Sequence, residues 1–159
     1  APAGHTYALE SAMYDFAYTE SKTGEEKGLS QLLEEKNTVL LNFWYVGCTW
    51  CQVEFPLMQE AYLDYEDDLA IVAINPFQGD DTIASYMQTN GLTFDGCYDT
   101  TLYAMFGVSG YPTNVIIDRY GTVCEIEAGG ITDADIFRQL FAQYTADDYV
   151  PDPGSGSEM

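Results

Sequence analysis

Basic residues are scarce in this chain. Three lysines and two arginines stand against 26 acidic side chains, a formal net charge of −21. Such a surface repels phosphate backbones and anionic lipid heads, which argues against nucleic acid and acidic membranes as partners. Long apolar runs are also missing: none nears the roughly 20 residues that cross a bilayer. The opening residues, Ala1-Pro2-Ala3-Gly4-His5, have no basic end and no apolar stretch, so they do not read as a signal peptide. With no initiating Met, the expectation is a mature form whose targeting segment has been removed. The single histidine, His5, lies in this unpatterned start and reads as a surface residue rather than a ligand. Four cysteines are too few to scaffold 159 residues with disulfides. No internal repeat is present.

What is there is globular. Nearly half the residues are apolar and 14% are aromatic, enough for one buried core. Three regions are expected: an N-terminal segment over 1–12, one domain over 13–146, and a mobile acidic, Gly/Ser-rich tail over 147–159. Met13 to Tyr18 alternates as a half-buried strand, and Ser21 to Gly28 reads as a turn. Leu29, Leu32 and Leu33 begin a short helix. Thr38 to Tyr45 is a continuous apolar, β-rich run, as in a strand covered on both faces of a mostly parallel sheet. Phe55, Met58, Tyr62 and Tyr65 recur at helical steps, with Pro56 expected to kink that helix.

A second buried strand is expected at Leu69 to Ile74, then a helix from Asp80 to about Asn90. Thr93 to Tyr98 is a short extended piece. Asp99 is the expected N-cap of a helix reaching Phe106. Thr113 to Asp118 and Thr122 to Glu127 read as a hairpin turned at Arg119-Tyr120-Gly121. A last helix starts at Thr132 or Asp133, with Ile136, Leu140, Phe141 and Tyr144 on one face. Alternating strands and helices closed by a hairpin and a helix imply one α/β domain.

The chemistry concentrates at Cys48-Thr49-Trp50-Cys51, directly after a buried strand and at a helix start. A cysteine there faces free backbone N–H groups and the positive end of the helix dipole. Both favour the nucleophilic thiolate. Cys51 lies one turn deeper and can displace what Cys48 captures. Two other readings fit the pair by itself: half of a zinc site, which Cys97, Cys124 and His5 do not complete by spacing, and a buried pair with no exchange chemistry.

Asn42-Phe43-Trp44, the two cysteines, Glu54-Phe55-Pro56, Gly110-Tyr111-Pro112-Thr113 and Ile117-Asp118 together resemble the TlpA/ResA-type extracytoplasmic thioredoxin-like proteins of the redoxin, AhpC/TSA-like superfamily. The resemblance runs from about Met13 to Tyr144. It implies a thioredoxin-like fold, with a central mixed β-sheet, helices on both faces and an N-terminal β-hairpin extension. It also implies a thiol–disulfide oxidoreductase with Cys48 as exposed nucleophile and Cys51 as buried resolving thiol. Pro112 would be a cis-proline facing the pair, and Glu54 a buried carboxylate that moves protons to or from Cys51. Trp50, Tyr111 and Thr113 would contact substrate.

No bound cofactor or metal is implied, because the cysteine pair carries the electrons. The implied partners are protein thiols and disulfides and a membrane thiol-redox donor, with apocytochrome c among possible substrates. The implied setting is periplasmic, secreted or lipoprotein-anchored, and the molecule a monomer. Two departures from the family pattern stand out: Gly47 where Trp usually precedes the first cysteine, and Trp50 where Pro often precedes the second.

Cys97 and Cys124 are expected near opposite sheet edges and unbonded to each other. Tyr45 and Tyr111 are candidates for a peptide-binding cluster. Two competing functions remain. A thiol peroxidase would need a Pro/Thr-rich loop before its cysteine and usually a nearby Arg, yet only Pro2 precedes Cys48, and the arginines are Arg119 and Arg138. A non-catalytic thioredoxin-like binding module would not need an intact cysteine pair.

Overall fold

In the computed structural model, which describes residues 1–151, five strands form one mixed sheet in the order β5-β4-β3-β6-β7. They are β3 (Thr38–Phe43), β4 (Leu69–Asn75), β5 (Asp95–Tyr98), β6 (Thr113–Ile117) and β7 (Val123–Ala128). β3, β4 and β5 run parallel, while β6 pairs antiparallel with β3 and β7 antiparallel with β6. β6 and β7 are antiparallel because a tight turn at Arg119 to Gly121 joins them. Only a crossover joins parallel neighbours.

β1 (Ala17–Thr19) and β2 (Glu26–Gly28) form a separate antiparallel hairpin, and α1 (Leu29–Glu35) follows it. The first strand is thus shorter than its alternation suggested, and the last three residues of the expected turn are its partner. Met13 to Phe16 is held otherwise: the Phe16 carbonyl accepts from Leu29 N–H, and Asp15 Oδ1 from Ser30 N–H.

Side chains alternate along β3 and split the core in two. Leu40 and Trp44 join buried residues of α2 (Thr49–Tyr65), α3 (Asp80–Thr89) and α5 (Ala134–Thr145) on one face. Val39, Leu41 and Phe43 join α1 and α4 (Leu102–Met105) on the other. α2 runs unbroken through Pro56, anchored by Phe55 and Met58, both essentially inaccessible. Gly96 on β5 is required by packing, since a Cβ there would collide with Met87 of α3.

Two further expectations shift. α4 is shorter than read, yet Asp99 still serves it: its Oδ1 accepts from Thr101 and Leu102 N–H at 2.8 Å each. α5 is capped by Asp133 and buries Phe137, Phe141 and Tyr144, while Ile136 faces solvent. Spacings of four and three from Phe137 keep those rings on one side.

The terminal segments also pack. Tyr7 is buried against Phe106, and Ala12 bridges Thr122. His5 is half-buried and sets its ring edge against Tyr7 and Tyr14. The expected tail begins with chain that docks: Tyr149 O–H donates to Asp118 Oδ2 at 2.7 Å, with the Arg119 guanidinium over its ring. The rest of the expected tail, 152–159, lies outside the described residues.

Candidate functional site

β3 ends at Phe43 in the middle of the sheet, and the chain reaches α2 through Trp44 to Gly47. Cys48 is the N-cap of α2, and its Sγ accepts from the Cys51 backbone N–H at 3.2 Å. The first turn of a helix has N–H groups without intrahelical acceptors, so the sulfur sits where negative charge is best tolerated. Cys48 and Cys51 are joined in a disulfide. Both are buried, Cys48 at 3% and Cys51 at 1% exposure, so the outer sulfur is much less open than an exposed nucleophile was expected to be. The surfaces around it are open instead: Thr49 and Gly47 are exposed, and Trp50 is 56% exposed.

Trp50 is held from outside by the loop between β7 and α5. A Cβ on Gly130 would come within 3.1 Å of Trp50 Cβ, so a larger residue there would push the loop and the redox turn apart by a few tenths of an ångström. The next residue ties the same loop to the interior, where Ile131 N–H donates to Glu54 Oε2 at 2.8 Å.

Glu54 lies one turn past Cys51 on α2 and is inaccessible to solvent. Asn42 and Asn114, cross-strand partners on β3 and β6, each donate an Nδ2–H to Glu54 Oε1 at 3.1 Å. Asn42 Nδ2 also donates to Asn114 Oδ1 at 2.8 Å, which orients both amides. Burial raises the Glu54 carboxyl to about 7, against the pull of the three N–H donors toward the ionised form. Oε1 accepts two bonds and Oε2 one, so the open lone pair for a proton is on Oε2. A carboxyl that titrates near neutrality one helical turn from a thiol can give or take its proton.

The loop before β6 brings up the remaining expected residues. The Tyr111–Pro112 bond is cis, and Pro112 is buried. Thr113 is buried too, with its hydroxyl donating to the Gly110 carbonyl at 2.8 Å, so it shapes the loop from within. Tyr111 is half-buried and meets Tyr45 edge to face at 5.4 Å.

Cys97 and Cys124 are free and lie on β5 and β7, the two outer strands of the sheet, as expected. Burial pushes both thiols up, Cys124 to about 11. No four-cysteine cluster can form. Among the described residues, no group of three or more His, Cys, Asp or Glu side chains is placed to hold a metal ion.

A model of the AhpC/TSA family matches residues 9–126. The chain belongs to that family. It is 32% identical to the thioredoxin-like protein YneN of Bacillus subtilis over 74% of its own length and 71% of the relative's. It is 33% identical to the thiol-disulfide oxidoreductase ResA of Geobacillus kaustophilus over 84% and 76% respectively. In fold it matches a putative thiol:disulfide interchange protein DsbE from Chlorobium tepidum, with a TM-score of 0.72 and 26% identity, covering 86% of this chain and 99% of that one. The fold is thioredoxin-like, and the activity is thiol–disulfide oxidoreduction acting on protein thiols and disulfides.

Sequence reading reached the cysteines, Glu54 and Pro112, but missed Asn42, Asn114 and the Gly130-Ile131 loop. Asn42 had a signal: an amide inside an otherwise apolar buried strand needs a partner. Asn114 sits in the same kind of run. The Ile131 contribution is a backbone N–H, which no residue type announces.

Proposed function

We propose that this protein reduces disulfides in other proteins outside the cytoplasm, drawing electrons from a membrane thiol-redox donor, with apocytochrome c as one candidate substrate. The observation that carries the reading is the paired sulfurs capping α2 with an amide-held carboxyl one turn below. In the reduced protein, the Cys48 thiolate attacks one sulfur of a substrate disulfide. A mixed disulfide forms and one substrate thiolate leaves. Cys51 loses its proton, with Glu54 as acceptor, and attacks Cys48 Sγ. The second substrate thiolate leaves, the Cys48–Cys51 bond forms, and two electrons have passed to the substrate. The donor returns those two electrons by the reverse exchange. The pair is its own redox centre, so the reading includes no cofactor or metal, and a monomer suffices.

In this reading Pro112 lies against the substrate segment, Trp50 and Tyr111 contact it, and Thr113 keeps the loop in shape. The setting outside the cytoplasm rests on the resemblance to TlpA/ResA-type proteins. The test is trapping. Cys51→Ala should hold the natural substrate as a mixed disulfide on Cys48, released by dithiothreitol. The wild-type protein should speed insulin reduction by dithiothreitol. Peroxide consumption that survives loss of Cys51, with no effect on insulin, would replace this reading with a peroxidase.

A further inference from the structure

Beside the redox turn, three loops bring three aromatic rings together. Tyr45 follows β3, Phe77 follows β4 and Tyr111 precedes β6. Their centroids form a nearly equilateral triangle: Tyr45 to Phe77 5.6 Å, Tyr45 to Tyr111 5.4 Å and Phe77 to Tyr111 5.5 Å, every pair edge to face. The triangle is continuous with the site. The Tyr45 carbonyl accepts from Cys48 N–H at 3.1 Å, and Tyr111 adjoins Pro112. It is also fixed in place, because Gln78 Oε1 accepts from Val46 N–H at 3.0 Å and ties the Phe77 loop to the Cys48 loop. Yet Phe77 is 57% exposed, an apolar ring held rigidly in water beside the reactive pair.

The rim of this surface is acidic. Asp80 and Asp81 open α3 three and four residues after Phe77, both exposed, with Asp80 Oδ1 accepting from the Ser21 hydroxyl at 2.7 Å. Asp81 lines an open depression of about 440 Å³ together with Val46, two residues before Cys48. Asp99 N–H donates to the carbonyl of Asn75, whose side chain in turn accepts from Phe77 N–H. No lysine or arginine neutralises these carboxylates. Lys22 and Lys27 pair with Glu20, Glu25 and Asp95, and Arg138 with Glu60, Asp64 and Asp135. Lys36 donates to the carbonyls of Glu66 and Asp67, and Arg119 to those of Tyr144 and Ala146. All five cations are engaged with these other groups, and none pairs with Asp80, Asp81 or Asp99.

We propose that this face docks a substrate polypeptide carrying Arg or Lys beside its disulfide, the cation resting on the aromatic triangle within the acidic rim. Aromatic faces attract cations, and the flanking carboxylates add attraction that salt weakens. A purely apolar segment would use the rings and leave the carboxylates without effect. The inference rests on the disulfide-exchange reading above and adds its selectivity.

Two synthetic peptides with the same intramolecular disulfide decide it, one flanked by Arg-Lys and the other by Glu-Glu. Rates are measured with dithiothreitol as reductant. The basic peptide should be reduced with a kcat/KM about tenfold higher or more in dilute buffer, and the preference should shrink in 0.5 M salt. Phe77→Ala should cut the preference about threefold through KM. Asp81→Asn should cut it further and flatten its salt dependence. Equal rates for the two peptides would overturn the proposal while leaving disulfide exchange standing. So would a preference that survives both substitutions, which would assign it to the net charge of the whole molecule. Reduction of neither peptide would remove the exchange reading itself, and the docking proposal with it.

Discussion

The two ends of the central strands hold nearly the same chemical parts and put them to different ends. Where β3 finishes and β6 begins there are two cysteines, a fully buried carboxylate and a set of N–H donors. Where β6 finishes and β7 begins there are Cys124, the equally buried Asp118 and another set of donors. Asp118 Oδ1 accepts from Tyr120 and Thr122 N–H, and Oδ2 from the Tyr149 hydroxyl, which also lies 3.6 Å from Cys124 Sγ. This second group closes a turn and pins the chain after α5. The lesson is that a sulfur and a carboxylate do not make a redox site. Cys48 caps a helix and accepts an N–H, whereas Cys124 sits on a strand with burial pushing its thiol up to about 11.

Four substitutions would break or sharpen that contrast. The largest effect belongs to Cys48→Ser, which should lower insulin reduction by more than about a hundredfold, since the attacking sulfur is gone. Retained activity, measured as turbidity growth against dithiothreitol alone, would move the nucleophile elsewhere.

Glu54→Gln comes next. It should slow exchange about tenfold or more near pH 7, and the loss should narrow as pH rises and Cys51 ionises without help. Stability offers a second readout. With its carboxyl raised from 4.5 to about 7, Glu54 is still protonated in the folded chain where the unfolded chain has released that proton. Its contribution is full below 4.5 and lost as pH climbs through 7, about 3 kcal/mol in all. The non-titrating variant should therefore gain on the wild type by that order between pH 4.5 and 8. Parallel urea midpoints would show no sloping buried carboxyl.

Tyr149→Phe removes one hydrogen bond to Asp118 and should cost about 1 kcal/mol of stability, with no change in exchange rate. A fall in activity would mean the two ends are coupled. Cys124→Ser should change least of all: kcat/KM for insulin stays put. Alkylation of the wild-type Cys124 should remain slow until the pH nears 11.

How much of this was legible beforehand depends on the kind of contact. Thr38 to Tyr45, Leu69 to Ile74 and the hairpin from Thr113 stand out as apolar, β-branched runs between turn residues, and the observed strands end within two residues of them, β3 stopping at Phe43 and β4 running on to Asn75. The sequence puts Ile136 on the α5 face where the structure has Phe137, because two apolar residues in succession leave the helix phase open until packing selects one. Tyr7 and Tyr149 lack periodic neighbours, so the sequence places one in an unpatterned N-terminal segment and the other in a mobile tail. Tyr7 is buried against Phe106, about a hundred positions on, and Tyr149 is half-buried with its hydroxyl on Asp118, 31 positions back.

Spacing and local context were sufficient to place a reactive pair at Cys48 and Cys51, since a strand end, a helix start and two thiols one turn apart are all short-range facts. The state of Glu54 was not within their reach. Its burial, the two amides meeting it from neighbouring strands and the Ile131 N–H from beyond β7 join segments between 12 and 77 residues distant in the chain. Only folding sets those groups around one carboxyl, and desolvation there acts on its proton in a way that no residue type can announce.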